Sequence, residues 1–155
     1  MPDAALLERA IALGVANVAR GGGPFGAVVA AGERVVAEGV NRVTASCDPT
    51  AHAEIVAIRA AGGALSRFSL EGLTLYASCE PCPMCLAACY WARLDRVVFA
   101  ADRFDARAAG FDDVHLYEEL TRPATERALP LLRLEVADRL APFAAWRDAP
   151  ARTPY

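Results

Sequence analysis

Between residues 4 and 20 the apolar side chains Leu7, Ile11, Val15 and Val18 return at steps of four and three, the stripe of an amphipathic helix. Gly21-Gly22-Gly23-Pro24 stops it. Residues 27–31 make a short apolar run, Gly32-Glu33 a turn, and residues 35–40 a return run, which together predict an antiparallel hairpin. Asp48-Pro49 sets an acceptor side chain before a residue suited to the first helical position, and so predicts a helix from there through residue 60, halted by Gly62-Gly63. Residues 73–78 read as a buried strand, 81–93 as a mostly helical segment and 96–101 as another buried strand. This alternation from residue 27 to 101 predicts parallel pairing in a layered α/β domain, with active residues at the carboxyl ends of its strands. Farther on, residues 102–119 are polar and irregular apart from 106–110, residues 131–136 predict a fifth strand, and 142–147 a short last helix. No repeat or low-complexity linker interrupts the chain, so residues 1–155 read as a single domain ending in a functional tail.

Length and composition narrow the picture. A chain of 155 residues suits one domain that buries roughly two-thirds of its unfolded surface, without disulfide staples. All 16 basic residues are Arg. A chain with no lysine has no Schiff-base lysine and no lysine-dependent phosphate loop. The 34 Ala inflate the hydrophobic fraction and say nothing of function. A net charge of -3 and a pI near 5.4 argue against a nucleic-acid polymer as partner. The longest uncharged stretches are 12 residues, short of the roughly 20 that a membrane-spanning helix needs, so no membrane partner is expected. Met1-Pro2-Asp3 does not begin a signal peptide, and the chain reads as cytoplasmic with reduced cysteines.

Two motifs hold the chemistry: His52-Ala53-Glu54 and Glu80-Pro81-Cys82-Pro83-Met84-Cys85. Cys82 sits where a helix begins, Pro83 suits its first position, and Cys85 follows one turn later on the same face. A helix N-terminus lowers a thiol pKa, so both cysteines are predisposed to be thiolate ligands. One imidazole and two thiolates supply three ligands and leave a tetrahedral Zn²⁺ with one open position, the mark of a catalytic site. Glu54, two residues past His52, can carry a proton from water to a leaving group. His-x-Glu followed by Pro-Cys-x-x-Cys is the signature of zinc-dependent nucleobase deaminases.

Blander readings compete with this one. A lone Cys-x-x-Cys is often structural zinc or a redox pair. The spacing of Cys79, Cys82, Cys85 and Cys89 also matches a ferredoxin run, but Tyr90 stands where that run has Pro, a second cysteine group is absent, and His52 and Glu54 go unexplained. Cys79 and Cys89 read as small core residues, Cys47 and His115 as loop or surface residues.

Gly23-Pro24-Phe25-Gly26-Ala27, Asn41, Asp48 through Glu54, Ser78 through Cys85, Tyr90-Trp91-Ala92-Arg93, Gly110-Phe111-Asp112-Asp113, Pro142-Phe143 with Ala145-Trp146-Arg147, and Tyr155 together resemble the small bacterial guanine deaminases of the cytidine-deaminase superfamily. The resemblance covers nearly the whole chain. Gly-Phe-Asp-Asp and the terminal Tyr set it apart from transfer-RNA adenosine and cytidine deaminases. It implies a three-layer α/β/α fold on a five-stranded mixed sheet, one Zn²⁺ per chain on His52, Cys82 and Cys85, and hydrolysis of guanine to xanthine and ammonia. Glu54 is then the proton carrier and Asp113 a second acid on the guanine edge. Phe25, Asn41, Ala53, Trp91 and Tyr155 would complete the substrate contacts. It further implies a homodimer in which residues 138–155 close an active site, that of the partner subunit where the segments are swapped. Plant guanosine deaminases resemble the same motifs, which makes guanosine or another aminated heterocycle the alternative substrate.

Overall fold

The first strand owes its unbroken apolar run to burial on both faces. In the computed structural model, which describes residues 2–155, β1 (Gly26–Ala31) turns Ala27 and Val29 toward one hydrophobic cluster and Val28 and Ala30 toward another. Period-2 alternation thus puts every one of these side chains in a core. The first cluster lies under α3 (Ala53–Leu65) and α4 (Pro83–Trp91), with Leu70, Leu73 and Leu75 at its centre. The second lies under α1 (Pro2–Val18), where Leu6 and Ala10 meet Tyr76. Helices therefore cover both faces, the expected three layers.

The sheet has four strands rather than five, in the order β2-β1-β3-β4, with β2 Arg34–Val40, β3 Thr74–Cys79 and β4 Arg96–Ala101. The predicted hairpin β1–β2 is present, with a register shift between Val29 and Ala30. β3 and β4 pair in parallel, but β1 and β3 run antiparallel, against the sequence-based expectation. The chain leaves β2, crosses through α3, and enters β3 beyond β1, so that β3 shares the direction of β2 and opposes the strand it touches. Residues 131–136 form no strand: each is exposed, and an isolated apolar stretch without a partner edge cannot satisfy its backbone as a strand.

Other boundaries move for identifiable reasons. Asp48-Pro49 makes a turn, because the Asp48 carboxylate accepts the Thr50 N–H at 2.8 Å and its hydroxyl at 2.7 Å. The helix begins instead at Ala53 with His52 as its N-cap, runs through Gly62-Gly63, and ends where Ser66 adopts a left-handed conformation. The stretch predicted as irregular holds two helices, α5 (Arg103–Ala108) and α6 (Asp113–Thr121). Between β2 and α3 lies a single turn, α2 (Val43–Ser46). The last helix is α7 (Ala141–Asp148), close to the predicted span.

Two units divide the chain, Met1–Tyr117 and Glu118–Tyr155. In the second no residue after Glu119 is buried, and Leu129, Leu131, Leu132, Leu134 and Phe143 are each at least 70% exposed. No helix among the described residues is long and apolar enough to cross a membrane.

Candidate active site

His52 and Cys82 occupy equivalent places: each is the N-cap of a helix, and neither side chain caps its own backbone. Freed from capping, the two side chains face one another. The sheet brings the helix starts together, because Gly39 on β2 lets the first turn of α3 lie directly on the strand. A Cβ there would collide with the Ala53 carbonyl oxygen and the Ala57 nitrogen. Cys85 completes the group one turn into α4.

His52 presents Nδ1 to both thiols, at 3.6 Å from Cys82 Sγ and 3.5 Å from Cys85 Sγ, and the three ligand atoms lie within 4.8 Å of one another. A tetrahedral Zn²⁺ bound to thiolate and imidazole sets sulfur and nitrogen about 3.6 Å apart, so the donors already stand at the separation the ion requires. The thiol pair shares a proton unequally. The Cys82 thiol is drawn down to about 4, first by its hydrogen bond with Cys85 and then by His52. Cys85 moves the opposite way, pushed up by that same bond and by burial. Cys79 and Cys89 are pushed up to about 12 by burial, as suits the inert core residues expected of them. His115 and Cys47 are exposed, and all five cysteines are free.

Glu54 is 7% exposed and accepts from Cys85 Sγ at 3.4 Å. Burial pushes its carboxyl up to about 7. The cavity before it, about 250 Å³, is lined by Gly23, Phe25, Asn41, Val43, Thr44, His52, Glu54, Glu80, Cys82, Phe111 and Asp113. Asn41 Oδ1 accepts the Val43 N–H at 3.2 Å, which fixes the amide plane and leaves its nitrogen as a donor. Asp113 opens α6, and its carboxyl is raised by burial and then by the Cys82 charge. Glu80 is the contrasting acid: Arg103 holds it below the usual carboxylate range. Phe25 meets Phe111 edge to face at 4.7 Å and 77°. Both rings also border a larger, apolar hollow of about 580 Å³, which lacks the donor cluster and therefore the chemistry.

Of the residues singled out in the sequence, His52, Glu54, Cys82, Phe25, Asn41 and Asp113 line this one cavity, and Cys85 stands behind it. Ala53 is fully buried at the first position of α3. Trp91 is not among the lining residues; it ends α4 with 65% of its surface exposed. Tyr155 belongs to the second unit, where its ring meets Trp146 edge-on at 6.3 Å. Sequence reasoning missed Gly23, Phe111, Glu80, Val43 and Thr44. Gly23, Phe111 and Glu80 carried a signal, as members of motifs with no role of their own; Val43 and Thr44 carried none.

Residues 2–101 match the cytidine and deoxycytidylate deaminase zinc-binding region. The chain is 49% identical over 150 residues to a guanine deaminase of Bacillus subtilis (strain 168), covering 96% of each chain. It superposes with a TM-score of 0.94 on the X-ray structure of guanine deaminase from Bacillus subtilis, at 48% identity and 97% coverage of both. A protein solved in complex with 2,6-diaminopurine superposes with a TM-score of 0.68 at 36% identity, over 73% of this chain and 63% of that one. A donor cluster sized for zinc, a buried carboxylate beside it and a match through every strand of the sheet have one common source: the chain belongs to the zinc-binding cytidine and deoxycytidylate deaminase family.

Proposed function

We propose that this protein hydrolyses guanine to xanthine and ammonia, as a cytoplasmic homodimer. The observation that carries the reading is that one cavity holds the thiolate–imidazole cluster, the buried Glu54, and two groups, Asn41 and Asp113, suited to a purine edge. The near-complete similarity to a guanine deaminase and the 2-amino purine held by a second relative support the same substrate class.

In the reaction one water is consumed, the bond from C2 to the exocyclic amine breaks, a bond from C2 to oxygen forms, and ammonia leaves. Zinc held by His52, Cys82 and Cys85, one ion per chain, supplies the Lewis acidity that makes water nucleophilic at neutral pH. Glu54 takes a proton from the attacking water, delivers it to the ring nitrogen beside C2, and then passes the second proton to the departing amine. A carboxyl near 7 both accepts and gives protons at working pH. The Asp113 carboxylate accepts the N1–H and N2–H groups, which orients C2 toward the metal ligands. Asn41 donates to an acceptor on the purine, and the Ala53 N–H, without an intrahelical partner, offers a second donor. Phe25 stacks on the base. Trp91 and Tyr155, both largely exposed, are assigned to the dimer, where residues 138–155 close an active site.

Ammonia release from guanine, guanosine, adenine, cytosine and cytidine tests the reading. Guanine is expected to have the highest kcat/KM. A higher value for guanosine would make the protein a nucleoside deaminase, and silence across the panel would end the proposal. About one zinc per chain in a colourless protein is expected; a brown, iron-bearing protein would favour the ferredoxin-like reading.

A further inference from the structure

Two residues separate the last β3 residue, Cys79, from the first cysteine ligand, Cys82. The Glu80 N–H donates to the Ala101 carbonyl at 2.8 Å, and Pro81, which has no N–H, then leads directly into Cys82. Backbone pairing alone leaves this link loose. Side chains from two later helices take over. Arg103 donates from Nε to Glu80 Oε2 at 3.0 Å and from Nη2 to Oε1 at 2.6 Å, and its backbone N–H reaches Oε2 at 3.0 Å. The guanidinium carbon lies 3.5 Å from the centre of the Tyr117 ring. Tyr117 Oη donates to the Pro81 carbonyl at 2.7 Å. The path from Glu80 through Arg103 and Tyr117 to Pro81 is therefore closed, and the peptide that carries Cys82 is part of it.

The same ring sets a second group. Tyr117 follows Asp113 by four residues on α6 and lies on the same face of that helix. We infer that Arg103 and Tyr117 are positioning residues: the ring they form with Glu80 and Pro81 fixes the spacing between the Cys82 ligand and the Asp113 carboxylate, and occupies Glu80 so that, of the acids lining the cavity, Glu54 and Asp113 are the two that no arginine neutralises. The part concerning Asp113 rests on the guanine reading above; the part concerning Cys82 does not. The geometry suits the task, because a bidentate guanidinium stacked on a ring permits little rotation and the pair is largely shielded, with Arg103 30% and Glu80 16% exposed.

Tyr117→Phe removes one oxygen and keeps the ring under Arg103, so the fold is expected to persist. Zinc stoichiometry should stay near one per chain, while zinc transfer to a competing chelator should accelerate roughly threefold to tenfold, the worth of one hydrogen bond. On guanine, kcat/KM should fall by a similar factor, and Arg103→Lys, which loses the fork and the stacking, should reproduce both effects. In an Asp113→Asn background Tyr117→Phe should cost less activity than it does in the wild type, because part of its effect passes through that carboxylate. Unchanged chelator transfer and unchanged kcat/KM would overturn the inference. A full additional loss in the Asp113→Asn background would overturn the link to Asp113. If the wild type releases no ammonia from guanine, the substrate reading falls, and the chelator rate alone still decides whether the ring holds Cys82.

Discussion

Glu54 shows how one side chain can be asked to do two things. Its burial favours the neutral acid, yet the proposed reaction needs it first as a base. Glu54→Gln keeps the shape beside Cys85 and removes the proton carrier, so zinc content should be unchanged while kcat drops by roughly 10²–10⁴-fold. Metal analysis and steady-state kinetics on one preparation check both halves. His52, Glu54, Cys82 and Cys85 were legible because chemistry restricts them to particular residue types at short spacings. Phe111 and Glu80 were visible as motif members but not as cavity walls, since what brings them there is the approach of α6 and the end of β3. For Trp91, the family resemblance implied a pocket aromatic, and in the folded chain the ring lies at the exposed end of α4.

At the scale of elements, β1 and β3 stood out because strands buried on both faces need no alternation, whereas β4 has the predicted bounds but not the predicted burial: as the edge strand it has no buried residue, and Phe99 is 44% exposed. The helices α5 and α6 were missed because they are short and largely polar on their exposed sides. One signal for α5 was present: Asp102 accepts the Asp105 N–H at 2.9 Å while Asp105 reaches back to the Asp102 N–H at 2.9 Å, a capping box. Topology was harder, as no local pattern says that the crossover after β2 will pass over β1. Gly39 marks the tightest helix–strand contact, and Gly39→Ala should lower stability by roughly 1–3 kcal/mol through overpacking. Because the collision falls on the first turn of α3, the variant should also release zinc faster, a pairing that denaturant unfolding and chelator transfer can measure together.

The other face is tied down by Asp3. Its carboxylate accepts from Tyr76 Oη at 2.6 Å and from two Arg96 nitrogens at 2.8 and 3.1 Å. These bonds, the Tyr76 one foremost, hold its pKa below the ordinary carboxylate value. A depressed acid contributes stability above its unfolded pKa of about 3.9 and loses it as pH falls through the folded value. The melting temperatures of wild type and Asp3→Asn should therefore differ at about pH 6 and converge in the acid range below the carboxylate pKa. A gap that stayed constant with pH would show that the charge of Asp3 is irrelevant to holding α1.

For the molecule as a whole, the second unit is the least conventional part. A segment whose leucines are mostly in solvent cannot stabilise itself by burial. The homodimer proposed above gives those side chains a destination. Light scattering should return about twice the chain mass of 16.4 kDa at micromolar concentration, and a mass that stays at one chain would remove the dimer from the proposal.

The ligand cluster has one more consequence, in the statistics of the unfolded chain. His52 and Cys82 are 30 residues apart in sequence, and His52 and Cys85 are 33. In a disordered chain, bringing such positions together costs roughly 3–4 kcal/mol of loop-closure entropy. Here the fold has already met that cost, because the sheet and two helix starts bring the donors together. Zinc should accordingly enter after the chain has folded. Its uptake rate, followed by stopped-flow with a chromogenic indicator, should hold steady as denaturant is raised and fall only where the protein unfolds.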